Sequence, residues 1–372
     1  AVQMSPQPLH VAVAGWLLGP PSGANRRLLA LLRELGPLLA AGERVTVLHR
    51  ADFAPPAMLG IGWQPVPIPA GPSLRRAFAE RRVLPRALRE LGATVLDHGF
   101  LPLPKLQIPV CLLVHDVRGL DGLTRWPRWL VARTLARACR DAAVVVTPSA
   151  WTQQRLAAIA PRATFAVVAN GVDVPDLRTT APSTTPTPSP TNGFVLHVGH
   201  VEARKNLGVV VAALAQLPTT TRPELWLAGA DAGALPMLQR HAAPHGVRLR
   251  HLTRVDDAAL AGLYANARAV VLPSHHEGFG LPALEALAHG APLLASDATA
   301  LPEVVGDAAP LLPPDDASAW AVALREAIAP ANRSPEAAAR RRAHAARWPW
   351  ATAAQRLLAI WRRQHLAFSP RP

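Results

Sequence analysis

Short, continuously apolar runs alternate with helical patterns along the whole of this 372-residue chain. HVAVAG, at residues 10–15, is the first of these runs, and the second half opens in the same way with FVLHVG at residues 194–199. Runs of valine and leucine that alternate with helices are typical of parallel strands covered on both faces. The pattern therefore predicts an α/β fold with two doubly wound, Rossmann-like sheets, each binding ligands beyond the carboxyl ends of its strands.

A stretch of low complexity separates the two halves. Residues 179–192 read TTAPSTTPTPSPTN, with four prolines and no apolar residue larger than alanine. Such a segment cannot offset its ordering entropy by burial, so it predicts an extended linker. We therefore predict a first domain over residues 1–178 and a second over residues 193–348. The tail, residues 349–372, predicts a helix that crosses back to the first domain.

The charge balance is strongly basic. Lysine and arginine number 39 against 25 acidic residues, for a net charge of +14, and only Lys105 and Lys205 are lysines. Residues 1–178 contain 21 of the basic and 11 of the acidic side chains. This excess predicts an anionic partner, whether nucleic acid, a membrane surface or a phosphorylated ligand. The codon bias of a GC-rich genome would also produce the arginine excess.

Two features bear on the cellular compartment. Cys111 and Cys139 lie in apolar stretches without the spacing of a disulfide framework or a metal site, which fits a reducing compartment. The apolar segment 9–18 lacks a basic leader and a small-residue cleavage site, so we interpret it as a buried strand rather than a signal peptide. No stretch reaches the roughly 18 apolar residues of a membrane span. We therefore expect a cytoplasmic protein.

The most informative segment is HHEGFGLPALEALAHG, residues 275–290, which follows an apolar strand pattern and opens a helix. Gly278 and Gly280 leave the backbone bare, so N–H groups at the helix start can approach an anion. Glu285 lies about one turn into the helix, and Glu277 precedes it. Two carboxylates flanking an anion-binding helix terminus predict a nucleotide diphosphate sugar as ligand. Alternatively, Gly278 and Gly280 serve only to form a turn, and Glu285 is a solvated residue of the helix.

A second segment, VGHVEARKN at residues 198–206, follows the first strand of the second half. It places Arg204 and Lys205 side by side at a predicted helix start, where two exposed cations oppose the helix dipole. An anion held between these two cations and the start of the helix in the segment 275–290 would remove that conflict. A solvated basic turn is the alternative.

The first half carries weaker signals. Gly19 and Gly23 make the loop after the first strand permissive, without the G-x-G-x-x-G spacing of a dinucleotide site. His115 and Asp116 end a predicted buried strand, where polar side chains seldom contribute to packing, so they are candidate site residues. Alternatively, His115 is a structural histidine whose hydrogen bonds are satisfied. No metalloprotease, P-loop or nucleophile-elbow motif occurs in the sequence, and no D-x-D pair is present to hold a diphosphate through a metal.

Two basic helices are predicted in the first half. Trp126 and Trp129 begin the segment 124–140, which places arginines on one helical side, namely Arg133, Arg137 and Arg140. An earlier helix carries six more, namely Arg75, Arg76, Arg81, Arg82, Arg86 and Arg89. Basic amphipathic helices with interfacial tryptophan can rest on anionic lipid, and a merely solvated basic face is the alternative.

Together these segments resemble family 4 of the retaining glycosyltransferases, which have the two-domain GT-B fold. The matching pieces are NGVD at 170–173, VGHVEARKN, the AG at 228–229, the segment 263–296 and PEVVGDAA at 302–309. The E-x7-E pair, Glu277 and Glu285, is the family's most specific mark. The resemblance implies two facing domains with the active site in the cleft between them, the acceptor on the first domain and the nucleotide sugar on the second.

The resemblance also implies roles for individual residues. Arg204 and Lys205 would neutralise the donor diphosphate and the charge that builds on it, Glu285 would hold the ribose, and Glu277 would hold the transferred sugar. His115 matches a position near the reacting centre and completes a catalytic set with Arg204, Lys205 and Glu277. The whole donor site would comprise Gly199, Arg204, Lys205, Arg254, Val255, Glu277, Gly278, Phe279, Gly280, Leu281 and Glu285.

Family 4 enzymes are thought to transfer with retention and without a metal or other cofactor, the leaving phosphate oxygen taking the proton of the acceptor. The resemblance implies a saccharide or lipid-linked saccharide acceptor in bacterial surface polysaccharide assembly, with Gly19 and Gly23 in an acceptor or phosphate loop. We expect no nucleic acid partner, and expect the basic first half to rest on the inner face of the cytoplasmic membrane. A phosphorylase on the same fold and a non-catalytic basic binding protein are the alternatives.

Overall fold

The computed structural model describes residues 7–19, 23–70, 73–122, 126–175 and 190–368. The chain divides into two compact units, the first formed by Ala1–Gly171 with Trp350–Pro372 and the second by Val172–Pro349. The division falls at Gly171 rather than at residue 178, because the Val172 N–H donates to the carbonyl of Trp348 at 2.8 Å. Residues 179–189 of the predicted linker lie outside the described ranges.

Over its described residues, the first unit contains a parallel sheet of seven strands in the order β3-β2-β1-β4-β5-β6-β7. The strands are β1 (His10–Ala14), β2 (Arg44–His49), β3 (Ile61–Pro65), β4 (Val95–His98), β5 (Val110–Leu113), β6 (Val144–Thr147) and β7 (Phe165–Val167). The helices that follow them are α1 (Gly23–Leu35), α2 (Ser73–Leu91), α3 (Arg128–Asp141) and α4 (Ala150–Ala157). The central strands β1, β4 and β6 are buried throughout; β1 was predicted by its apolar run, whereas β4 also buries the polar side chains of Asp97 and His98.

In the part of the second unit that the structure describes, a parallel sheet has six strands in the order β10-β9-β8-β11-β12-β13. The strands are β8 (Phe194–Val198), β9 (Glu224–Ala228), β10 (Leu249–Leu252), β11 (Ala269–Leu272), β12 (Leu293–Ser296) and β13 (Leu311–Leu312). The helices are α5 (Leu207–Ala215), α6 (Leu235–Ala242), α7 (Asp257–Asn266), α8 (Leu281–Ala288), α9 (Leu301–Val305), α10 (Ala317–Ala327) and α11 (Pro335–Ala345). The chain order reverses between β8 and β11, which is the place where open α/β sheets bind ligands.

The C-terminal helix α12 (Trp350–Phe368) belongs to the first unit, where it packs on α1 and β4. Trp361 is fully buried, and its Nε1 donates to Asp97 Oδ2 at 2.9 Å. At the helix surface, Arg362 pairs with Glu43 at 2.7 Å. A single element from the end of the sequence thus completes the core of the first unit. Within the described ranges, no helix is both long enough and apolar enough to cross a bilayer.

Candidate functional site

Two loops at the switch point of the second sheet form the candidate site. One follows β8 and contains a 3-10 turn over Ala203–Lys205, and the other follows β11 and leads into α8. The His275 N–H donates to the carbonyl of Arg204 at 2.9 Å, which ties the two loops together. Because β8 and β11 are paired neighbours, residues far apart in sequence meet at this edge.

Lys205 and Glu277 form a buried ion pair at the centre of the site. Lys205 Nζ donates to Glu277 Oε1 at 2.6 Å, and Ser274 Oγ donates to the same oxygen at 2.7 Å. Lys205 is only 5 % exposed and Glu277 only 7 %. The sequence predicted an exposed lysine opposed to a helix dipole, and this was wrong, because the 3-10 turn precedes α5 and folds the lysine inward onto the carboxylate.

Arg204 lies on the other side of the same carboxylate. Its guanidinium pairs with Glu202 at 2.6 Å, donates to the carbonyl of His276 at 2.7 Å, and approaches Glu277 Oε2 to 3.6 Å. Burial alone raises the pKa of Glu277, but the charges of Lys205 and Arg204 outweigh it and lower that pKa to about 2. The carboxylate is therefore ionised at neutral pH and balances Lys205, while Glu202 balances Arg204.

The loop before α8 depends on glycine. Gly280 has φ +102°, which a larger residue adopts only under strain, and a Cβ on it would lie 2.6 Å from Leu301 Cδ2, so that side chain would have to move. Phe279 is buried with its ring centroid 5.6 Å from that of Trp348. Gly278 and Leu281 complete the turn, which puts the first N–H groups of α8 beside the loop of Glu277.

Glu285 lies one turn into α8 and is half-buried. Its Oε2 accepts a hydrogen bond from the hydroxyl of Tyr264 at 2.8 Å. The ring of Tyr264 is buried and stacks on His289 at 5.0 Å, so the hydroxyl is held firmly toward the carboxylate. Sequence reasoning missed Tyr264, although it is the only tyrosine in the chain.

Gly199 and His197 border the lysine from β8. Gly199 has φ +135°, and a Cβ there would lie 3.7 Å from both Lys205 Nζ and His197 Nε2. His197 Nδ1 lies 3.1 Å from the carbonyl of Val271, while its fully buried Nε2 has no hydrogen-bond partner among the described residues. The carbonyl fixes the proton on Nδ1, so Nε2 presents a lone pair. Sequence reasoning missed this histidine because it sits inside an apolar strand pattern.

The buried His197 makes stability depend on pH. Burial, and then the charge of Lys205, lower its pKa to about 4, against an ordinary value near 6.5. Between those two values the unfolded chain binds a proton that the native chain does not, so the free energy of unfolding decreases as the pH falls from 6.5 to 4, by up to about 1.4 kcal/mol per pH unit. We expect urea unfolding of H197Q to show a smaller pH slope over that interval than the wild type. Equal slopes would contradict this account.

The remaining predicted donor residues lie apart from this cluster. Arg254 and Val255 follow β10, two strands away from β8, and Arg254 is exposed. They occupy the same carboxyl-terminal edge of the sheet because all its strands are parallel. The structure thus puts the predicted donor residues on one edge but brings only some of them into contact.

The predicted residues of the first half belong to the other unit. His115 follows the end of β5 and is half-buried, and burial together with the charge of Arg27 lowers its pKa to about 4. Gly19 is exposed after β1, and Gly23 begins α1. Arg27, which sequence reasoning missed, is buried in α1 and donates to Asn170 Oδ1 at 2.7 Å.

The arrangement at the second sheet suits a multiply charged anion with hydroxyl groups. Two cations, Arg204 and Lys205, stand beside the N-terminus of α8, and two carboxylates, Glu277 and Glu285, flank that terminus on either side. Oriented N–H groups and cations bind phosphate, while carboxylates accept hydrogen bonds from hydroxyls. In the part of the chain that the structure describes, no group of three or more histidine, cysteine or acidic side chains could hold a metal ion.

Comparisons with known proteins agree with this geometry. The profile "Glycosyltransferase Family 4" matches residues 21–175, and the profile "Glycosyl transferases group 1" matches residues 185–346. The chain belongs to glycosyltransferase family 4. The family resemblance and the GT-B fold class predicted from the motifs are thereby confirmed.

Individual relatives match over shorter stretches. The O-antigen chain mannosyltransferase B of Escherichia coli is 37 % identical over 163 residues, which cover 42 % of each protein. The chain spans about two fifths of the length of the first curated relatives that it matches. Among solved structures, sucrose-phosphate synthase from Thermosynechococcus elongatus has a TM-score of 0.79 at 18 % identity, covering 96 % of this chain and 100 % of that one. Anabaena HepE in complex with UDP-glucose has a TM-score of 0.71 at 18 % identity, with 95 % and 100 % covered.

Proposed function

We propose that this family 4 chain transfers a glycosyl group from a nucleotide diphosphate sugar to a saccharide or lipid-linked saccharide acceptor. Transfer proceeds with retention and without a metal, in the assembly of a bacterial surface polysaccharide. The observation that carries the proposal is the Arg204–Lys205–Glu277 cluster at the switch point of the second sheet, beside the start of α8. The relatives named as an O-antigen mannosyltransferase and as a UDP-glucose complex support the substrate classes.

The donor diphosphate binds to Arg204 and Lys205. Both cations are balanced by carboxylates in the described structure, Arg204 by Glu202 and Lys205 by Glu277. When the diphosphate arrives, its oxygens replace Glu277 as acceptors for the lysine, and the carboxylate becomes available to the hydroxyls of the sugar. Glu285, fixed by the hydroxyl of Tyr264, accepts hydrogen bonds from the ribose.

The chemistry follows from that placement. The bond between the anomeric carbon and the phosphate oxygen breaks, and negative charge builds on the leaving diphosphate. Arg204, Lys205 and the N-terminus of α8 stabilise that charge as it develops. The acceptor hydroxyl attacks the anomeric carbon from the same face, and its proton passes to the leaving phosphate oxygen. The protein contributes positioning and electrostatic stabilisation rather than a strong base.

A donor screen tests the proposal. Unfolding is measured with UDP-, GDP-, ADP- and TDP-sugars, and the true donor at 100 times its dissociation constant adds about 2.7 kcal/mol to the free energy of unfolding. Transfer by the stabilising donor is then assayed with and without EDTA, and NMR assigns the anomeric configuration of the product. If none of the four donor classes stabilises the chain, the proposed donor is contradicted. An inverted product would contradict retention, and loss of activity in EDTA would contradict transfer without a metal.

We also propose that the first unit rests on an anionic membrane surface through α2 and α3. Both helices expose large apolar side chains, with Phe78 63 % and Trp129 69 % exposed. A cavity of about 730 Å³ lies between these helices and the loop that contains Lys105. Its cationic lining residues are Arg81, Lys105, Arg133 and Arg137. Exposed aromatic side chains among cations bind the interface of anionic bilayers, both by burial and by charge.

Liposome flotation tests this surface. We expect the chain to float with vesicles containing phosphatidylglycerol at low salt, and to be released at high salt because the attraction is screened. The variant R133E/R137E should lose this binding, whereas R240E/R325E, which reverses two exposed arginines of the second unit, should keep it. Absence of flotation at low salt, or equal loss in both variants, would contradict the proposal.

A further inference from the structure

The loop between β12 and α9 supports the loop that carries Glu277. Ser296 Oγ donates to the carbonyl of Ser274 at 2.5 Å, and the Glu277 N–H donates to Thr299 Oγ1 at 2.9 Å. No local sequence pattern singles out either hydroxyl. The two bonds fasten the loop after β11, at Ser274 and at Glu277, to the last residue of β12 and to the loop that follows it.

Thr299 reaches Glu277 from an unusual backbone conformation. Its φ is +55°, and among the described residues only Asn206 shares a positive φ without being glycine. This region is unfavourable for a β-branched residue, whose Cβ crowds its own backbone. A strained residue persists where the surrounding structure compensates for it, and such residues concentrate at functional sites. The compensating contact visible at Thr299 is the hydrogen bond from the Glu277 amide.

We propose that Thr299 is a positioning residue for glycosyl transfer, acting through Glu277; this rests on the proposed function. The Thr299 hydroxyl holds the backbone of Glu277, and the carboxylate of Glu277 in turn meets Lys205 Nζ at 2.6 Å and Ser274 Oγ at 2.7 Å. A shift of that backbone therefore moves the carboxylate away from both partners. Two other groups of the site have contacts away from this peptide unit, Arg204 with Glu202 and Glu285 with Tyr264.

Three variants separate the hydroxyl from the backbone strain. T299S keeps the hydroxyl, T299G removes it and adopts the positive φ without strain, and T299V removes it while keeping the shape. Because glycine relieves the strain, T299G remains a useful variant even where T299V fails to fold. Hydrogen exchange resolved to single residues measures the bond from the Glu277 amide to Thr299 Oγ1 directly. The amides of β11 serve as an internal reference.

We expect the Glu277 amide to exchange about tenfold faster in T299G than in the wild type, relative to β11, and at the wild-type rate in T299S. With the donor found in the screen, T299G should lower kcat/KM for transfer by about tenfold. The dissociation constant of the matching nucleoside diphosphate alone should not increase, because the diphosphate takes the place of Glu277 on Lys205 and Arg204 keeps its contact with Glu202. If Thr299 had a merely structural role, T299G would both lower kcat/KM and weaken the binding of the nucleoside diphosphate.

The outcomes are distinguishable from failure of the proposed function. Wild-type exchange in T299G, or equal impairment of T299S and T299G, would overturn the role of the hydroxyl. Faster exchange with unchanged kcat/KM would overturn its role in transfer. A wild type that transfers no sugar refutes the proposed function, and with it the catalytic part of the inference, while the exchange measurement still decides whether Thr299 anchors Glu277.

Discussion

Replacing Lys205 with methionine should lower the rate of transfer by about a hundredfold or more, which corresponds to about 3 kcal/mol of transition-state stabilisation. The lysine is the buried cation at the switch point, and no second lysine lies in the second unit to substitute for it. The measurement is kcat with saturating donor and acceptor. Turnover close to that of the wild type would contradict the assignment of Lys205 to the diphosphate.

The same change should also destabilise the fold, because it leaves Glu277 buried without its lysine. Breaking a buried ion pair costs about 3–5 kcal/mol, and Arg204, at 3.6 Å, offsets only part of this. The double variant K205M/E277Q removes both charges and provides the control. We expect urea unfolding to show that it regains most of the lost stability, while transfer stays low. Recovery of transfer in the double variant would mean that the single variant failed through misfolding alone.

Replacing Trp361 with alanine should lower the free energy of unfolding of the first unit by about 4 kcal/mol. The side chain is 1 % exposed, and its indole N–H donates to the buried carboxylate of Asp97. The variant therefore leaves a cavity and an unsatisfied carboxylate together. Urea unfolding followed by circular dichroism measures the change.

Leu366 on the same helix provides the matched control. It is 70 % exposed, so L366A should change the free energy of unfolding by less than about 0.5 kcal/mol. Equal effects of W361A and L366A would show that α12 does not complete the core of the first unit.

The central strands were predictable because both of their faces are buried. β1 and β8 lie where the apolar runs beginning at residues 10 and 194 placed them. The edge strands β3 and β7 escaped prediction because only one side of each is paired, so their residues are partly exposed and show no continuous apolar run.

The positions of the candidate-site motifs along the chain were predictable, but the contacts that their side chains make were not. The glycines before α8 and the pair Glu277 and Glu285 are local features, and local spacing places them on one loop and one helix. No local sequence pattern identifies Tyr264, His197 or Thr299, because each matters only through the residue that its side chain contacts. Their partners lie on other elements of the sheet.

The sequence by itself determined two α/β units, the family, and the loops on which phosphate-binding groups stand, because periodicity and turn chemistry are properties of neighbouring residues. Only the tertiary structure decided that Lys205 is buried rather than exposed, since its charge is neutralised by a carboxylate 72 positions away. In the same way, Trp361 meets Asp97 across 264 positions. The energy of such pairs depends on distance in space and on the exclusion of water, and both arise only when the strands are assembled side by side.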